Sequence, residues 1–135
     1  MPKAMIIGAG MTPFGRHPDV HFTSLAASAI EEALDDAGVE FRDIQQGFCS
    51  RVYLPSATGA RVMEVMGRTG ISCPDVEGAC GAAVASLRQA VLMVESGQVD
   101  IALAFGVEKI GKGFMPPDIL YSDWQCELGL MSTAA

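Results

Sequence analysis

Two consecutive segments near the middle of the chain constrain its fold most. From Ala79 or Cys80 to Ser96 the residues include Ala82, Ala83, Val84, Ala85, Leu87, Ala90, Val91, Leu92, Met93 and Val94, with Gly97 as the stop. This pattern is apolar almost all round, which predicts a buried helix rather than an amphipathic surface one. Val99–Val107 follows at once and is apolar apart from Asp100. A continuous apolar run of that length predicts a strand in a sheet covered on both faces. A buried helix leading directly into a buried strand is a unit of an α/β fold.

The upstream sequence repeats this alternation. Lys3–Ile7 reads as a first strand, closed by Gly8-Ala9-Gly10. Pro13, Gly15 and Pro18 make Met11–Phe22 a loop. Thr23 or Ser24 then caps a helix that ends at Ala37, before Gly38. Its Ala26, Ile30, Ala33 and Leu34 share one face, and Glu31, Glu32, Asp35 and Asp36 the other. That acidic run reads as a solvated face. Gln45–Tyr53 predicts a second strand, Gly59–Met66 a second helix, and Ser72–Val76 a short third strand weakened by Pro74. The order of elements is strand, helix, strand, helix, strand, helix, strand. It predicts an open α/β sheet with right-handed crossovers.

After Val107 the texture changes. Glu108–Pro117 is rich in Gly, Lys and Pro and reads as an irregular loop, and Tyr121–Leu130 as a short helix. The division expected is an α/β half over residues 1–107 and the start of a loop region over 108–135. The final residues read as a cut within a longer sequence.

Composition narrows the function classes. Half of the 135 residues are apolar and 19% are charged, and mean hydropathy is +0.30. Disordered chains have the opposite balance. No apolar stretch approaches the roughly 20 residues a bilayer span needs. Nine Lys and Arg stand against sixteen Asp and Glu, a net charge of −7. That field disfavours nucleic acid and anionic membrane surfaces as partners. The four cysteines, Cys49, Cys73, Cys80 and Cys126, show no CxxC spacing, which argues against a zinc site. With no signal-peptide pattern at the N-terminus, a cytoplasmic chain with reduced thiols is expected.

Gly8-Ala9-Gly10 invites a dinucleotide-binding reading, but Pro13 occupies the third glycine position of GxGxxG. A tight strand-to-loop turn is the simpler expectation. Cys80 stands out more. It lies in Val76-Glu77-Gly78-Ala79-Cys80-Gly81-Ala82-Ala83, where a short strand ends and a long helix begins. Free amides and the dipole at a helix start favour thiolate, the nucleophilic form. Small neighbours leave room for a bulky electrophile, as in a nucleophile elbow. Position alone also admits a small buried cysteine packed beneath the sheet. Cys49 and Cys73 read as core or packing cysteines. His17 and His21, the only histidines, lie in the N-terminal loop and read as exposed.

Taken in order, these segments resemble the N-terminal half of a thiolase, most closely the sterol-carrier-protein-x or lipid-transfer type. The resemblance rests on Ile6-Ile7-Gly8-Ala9-Gly10-Met11-Thr12-Pro13-Phe14-Gly15, Ala33-Leu34-Asp35-Asp36-Ala37-Gly38, the Cys80 turn, Ala102–Lys109 with its Gly-x-Glu-Lys ending, and Tyr121–Gln125. It implies one βαβαβαβ half, with a mixed sheet between helices, of a two-half αβαβα sandwich. It implies a thiolase-type acyltransferase acting on acyl-CoA or 3-oxoacyl-CoA. Cys80 would carry the acyl group as a thioester. No bound cofactor or metal is implied, since coenzyme A enters as part of the substrate. The activating histidine and the second acid/base cysteine belong to the half that follows, so the isolated chain is expected to be inactive. Homodimers or tetramers are implied, with the strand before Cys80 at the interface edge, and a small zinc-ribbon and OB-fold protein as a partner in some members. The same fold also hosts aldolases acting on CoA-linked side chains, and it can serve as a non-catalytic binding scaffold.

Overall fold

The computed structural model describes residues 3–110. Apolar and acidic residues segregate on α1 (Phe22–Ala37), and the helix buries Phe22, Ala26, Ile30 and Leu34. Its cap is His21 rather than Thr23 or Ser24: the imidazole Nδ1 accepts from the Thr23 amide. Gly38, at φ 67°, ends it and donates to the Asp35 and Leu34 carbonyl oxygens. A left-handed stop of this kind suits glycine, which has no Cβ to clash. A short 3-10 turn (Phe41–Asp43) leads into β1 (Gln46–Ser50). Then come α2 (Thr58–Met66), β2 (Asp75–Val76), a 3-10 turn (Ala79–Gly81), α3 (Ala82–Glu95) and β3 (Ala102–Gly106).

The three strands form a parallel sheet in the order β2-β1-β3. Cys49 lies opposite Asp75 on one side and Phe105 on the other. Side chains alternate between the two faces of a strand. Cys49 and Leu103 join Ile30, Leu34, Val62 and Met63 in one buried cluster, so α1 and α2 cover that face. Phe48, one residue along, is buried outside that cluster, and α3 packs over its face of β1 and β3. The result is three layers, helix on sheet on helix, as the α/β reading requires.

Several expectations need correction. Lys3–Ile7 pairs with no strand among the described residues, and Met5, Ile6 and Ile7 are exposed. Gly8-Ala9-Gly10 is not a tight turn. It is part of the same segment, laid directly on α1: a Cβ at Gly8 would collide with the Ala33 carbonyl oxygen, and one at Gly10 with that of Ala29. The amides of Ala9 and Met11 donate to Asp36 Oδ2 and Glu32 Oε2, both at 2.9 Å. The acidic face of α1 is thus partly a set of acceptors for a neighbouring backbone. The sheet expected to be mixed is parallel throughout the described residues. α3 is not buried all round: only Ala82, Ser86 and Ala90 are, while Val84 is 72% exposed. Tyr121–Leu130, Cys126 and Phe114–Pro117 lie outside the described residues.

One cavity, of about 390 Å³, lies between the N-terminal segment and the edge of β3 that no described strand pairs. Ala29, Ile30 and Ala33 of α1 line it from one layer, and Leu87, Ala90 and Val91 of α3 from the other. It therefore sits in the plane of the sheet. Val107 donates to the Ser50 carbonyl oxygen, so by strand alternation the amides of Ala102, Ala104 and Gly106 point away from β1, toward this gap.

Candidate active site

Parallel strands β1, β2 and β3 end at Ser50, Val76 and Gly106, and their exits gather at one end of the sheet. Open α/β sheets bind ligands outside these carboxyl ends. The middle strand leaves through Arg51–Ala57. The edge strand β2 leaves through Glu77–Gly81, which carries Cys80.

The Cys80 turn is short and strained. Ala79 has φ 46°, and with Ala57 (φ 65°) it is one of two non-glycine residues in the left-handed region among the described residues. Such a conformation costs a residue with a Cβ about 1–2 kcal/mol. Glu77 Oε1 accepts from the Ala79 amide at 2.7 Å and braces the turn. Gly81 then begins α3, whose N-terminus has no side-chain cap. Cys80 is exposed. The reading of this residue as a buried packing cysteine is therefore wrong. Cys80 stands exposed in the 3-10 turn that precedes the 14-residue helix α3, where an electrophile has access.

The other thiols differ. Cys49 is fully buried, and its thiol is pushed up to about 12 by burial and then by the nearby Cys73 and Asp75. Burial, then Asp75, pushes Cys73 up to about 12 as well. Cys49 is a core group and the half-buried Cys73 packs against the core, as their sequence context suggested. His17 Nε2 bonds the Pro13 carbonyl oxygen at 2.9 Å, and His21 caps α1. Among the described residues, neither histidine bonds to the Cys80 turn, and no cluster of His, Cys, Asp or Glu is arranged to hold a metal ion. No helix of the described residues is long and apolar enough to cross a membrane.

Two carboxylates organise this end of the sheet, and the sequence assigned neither a role. Asp75, on β2, accepts from Gly59 N at 2.7 Å, Thr58 N at 3.1 Å and Arg51 Nε at 3.0 Å. Burial alone would raise its pKa. The two amides and the guanidinium outweigh that and hold the carboxyl below its ordinary value. Glu108, just beyond β3, accepts from Val52 N at 2.9 Å and Tyr53 N at 2.7 Å. The next residue, Lys109, donates through Nζ to the Pro18 and Val20 carbonyl oxygens at 3.1 and 2.6 Å. The Glu-Lys pair thus staples two loops to the end of β3. A lone carboxylate that binds backbone amides distant in sequence leaves no periodic signal. Only the family-like Gly-x-Glu-Lys ending pointed to this place.

Comparison with known proteins agrees with this fold. The family model described as thiolase, N-terminal domain, matches residues 4–119. An acetyl-CoA acetyltransferase of Methanocaldococcus jannaschii is 35% identical over 115 residues, which are 82% of this chain and 29% of that protein. The non-specific lipid-transfer protein-like 2 of Caenorhabditis elegans is 32% identical over 115 residues, 83% of this chain and 28% of that protein. The chain therefore spans less than a third of the length of these relatives. Among solved structures, OleA of Xanthomonas campestris with bound lauric acid and lauroyl-CoA superposes with a TM-score of 0.55 at 27% identity, over 65% of this chain and 28% of that one. The 3-oxoacyl-[acyl-carrier-protein] synthase III of Aquifex aeolicus shares the fold at a TM-score of 0.56 and 20% identity, over 67% of this chain and 30% of that one. With a matching domain model over most of its length and a parallel α/β half to go with it, this chain belongs to the thiolase superfamily, in its N-terminal region.

Proposed function

We propose that the chain is part of a thiolase-type acyltransferase in which Cys80 carries the acyl group of an acyl-CoA or 3-oxoacyl-CoA as a thioester. One observation carries this reading: Cys80 is an exposed thiol on a strained turn at the start of α3, at the carboxyl end of the sheet. The relatives named acetyl-CoA acetyltransferase support acyl transfer as the reaction class.

In the cleavage direction, the Cys80 thiolate adds to the 3-keto carbon of a 3-oxoacyl-CoA. The bond between carbons 2 and 3 breaks, and its electron pair leaves as the enolate of acetyl-CoA, which takes up a proton. The acyl group remains on sulfur. Free CoA thiol then gives up its proton, attacks this thioester, and releases acyl-CoA and the Cys80 thiolate. Splitting the reaction into two acyl transfers lowers each barrier. A general base and an oxyanion site are needed for both. The described histidines are engaged within their own loops, and on this reading the base lies outside the described residues. On this reading the 135-residue chain does not turn over alone. The assembly is a dimer or tetramer with β2, an edge strand, toward the interface, and a small zinc-ribbon and OB-fold protein remains a candidate partner.

The relatives named for lipid transfer or sterol carriage favour a second reading, a thiolase-like scaffold that binds lipid thioesters without turnover. Intact mass spectrometry separates the two. The complete gene product mixed with acetyl-CoA or a 3-oxoacyl-CoA should gain one acyl mass on Cys80, and Cys80→Ala should gain none. Binding of the thioester without any adduct would establish the scaffold instead.

A further inference from the structure

We propose that Glu77 is a positioning residue for the acylation of Cys80: its carboxylate holds the Gly78–Ala79 peptide, and so aims the thiol of the next residue. The inference rests on the acyltransferase reading above and names the side chain that orients its nucleophile.

The turn is held peptide by peptide. In the Gly78–Ala79 unit, the Gly78 carbonyl oxygen accepts from the Gly81 amide at 2.9 Å, and the Ala79 amide donates to Glu77 Oε1 at 2.7 Å. In the next unit, the Ala79 carbonyl oxygen accepts from the Ala82 amide. A peptide unit is planar, so one bonded at both its oxygen and its nitrogen has little rotation left. Ala79 sits between these two units at φ 46°, and Cys80 follows directly.

Among the described residues, Glu77 is the one side chain that bonds to the backbone of this turn, since neither the 3-10 turn nor α3 has a side-chain cap. Without it the Ala79 amide turns to water. A residue with a Cβ is then left unbraced in the left-handed region, which it enters only at a cost. The turn relaxes, and Cys80 moves with it. Glu77 is itself exposed, so core packing does not require a carboxylate here.

Acyl transfer needs this control more than simple alkylation does. The sulfur must meet the thioester at its carbonyl carbon while the carbonyl oxygen stays in its oxyanion site, and small misplacements cost rate. A small, freely diffusing electrophile takes an exposed thiol from any side.

The test uses the complete gene product and measures two rates at Cys80, acylation by acetyl-CoA and alkylation by iodoacetamide. Glu77→Ala and Glu77→Gln both remove the charge. Only glutamine keeps an oxygen for the Ala79 amide, so the difference between the two variants isolates the hydrogen bond. Glu77→Ala should acylate about tenfold more slowly than Glu77→Gln, the scale of losing one such bond. The two variants should alkylate at equal rates and melt at the same temperature, because the side chain is exposed. Equal acylation rates in the two variants would overturn the proposal and leave the acyltransferase reading standing. So would a loss in Glu77→Ala that alkylation shares or that a lower melting temperature accompanies. Failure of the unsubstituted protein to acylate at all would overturn both together.

Discussion

Cys49 and Cys73 flank Gly59, where a Cβ would press on both side chains, and burial pushes both thiols up to about 12. Burial keeps both protonated at pH 8, and the thiolate is the species that alkylates. Cys80 stands exposed only a few residues beyond β2. Iodoacetamide at pH 8 should therefore modify Cys80 completely before Cys49 or Cys73 reacts measurably, as read by peptide mapping. Similar labelling of the three would mean that the sheet opens readily in solution. The exposure of Cys80 was not legible in the sequence, where a strand-to-helix cysteine between small residues fits a core position equally well. The turn before α3 holds Ala79 at a positive φ, and no residue type announces an alanine in that conformation.

At the scale of elements, α1 and the N-terminal segment act as one unit. Gly8 and Gly10 let the segment's backbone lie on the helix backbone, and Asp36 and Glu32 accept its amides. Gly10→Val should lower stability by about 1–3 kcal/mol or more, the usual range for overfilling a packed contact, visible as a lower midpoint in thermal or urea unfolding. An unchanged midpoint would show that the segment is not bound to α1 in solution. The helices were legible to within three residues because their signals are local: Gly38 and Gly67 stop α1 and α2, and apolar spacing marks their inner faces. The strands were less so. The apolar run at Lys3–Ile7 has every local mark of a strand, but pairing is a property of a neighbour, and no described strand lies beside it. His21 was missed as a cap because an imidazole serves there only when its acceptor nitrogen faces the helix. The outer face of α3 was misread because its apolar residues implied a covering layer that the described residues do not supply.

For the molecule as a whole, the gap between the N-terminal segment and β3 is the dominant feature. Its two walls are backbone edges, and its floor and roof are apolar side chains of α1 and α3. Hydrogen exchange on the 135-residue chain should show alternation along β3. The amides of Leu103 and Phe105, on the β1 side, should be protected, and those of Ala102 and Ala104, facing the gap, should exchange far faster, as amides without a partner do. Uniform protection would mean that the edge is paired in solution. The gap also has a consequence in time. A ribosome adds about 5–20 residues per second, and every element described lies within the first 106 residues. At that rate residues 107–135 take about 1.5–6 s, while the edge of β3, unpaired among the described residues, has already formed. A greasy, unpaired edge is a template for joining another chain. The interval after translation of β3 is therefore when the growing polypeptide most needs a chaperone, and slowing translation there should raise the share lost to aggregates.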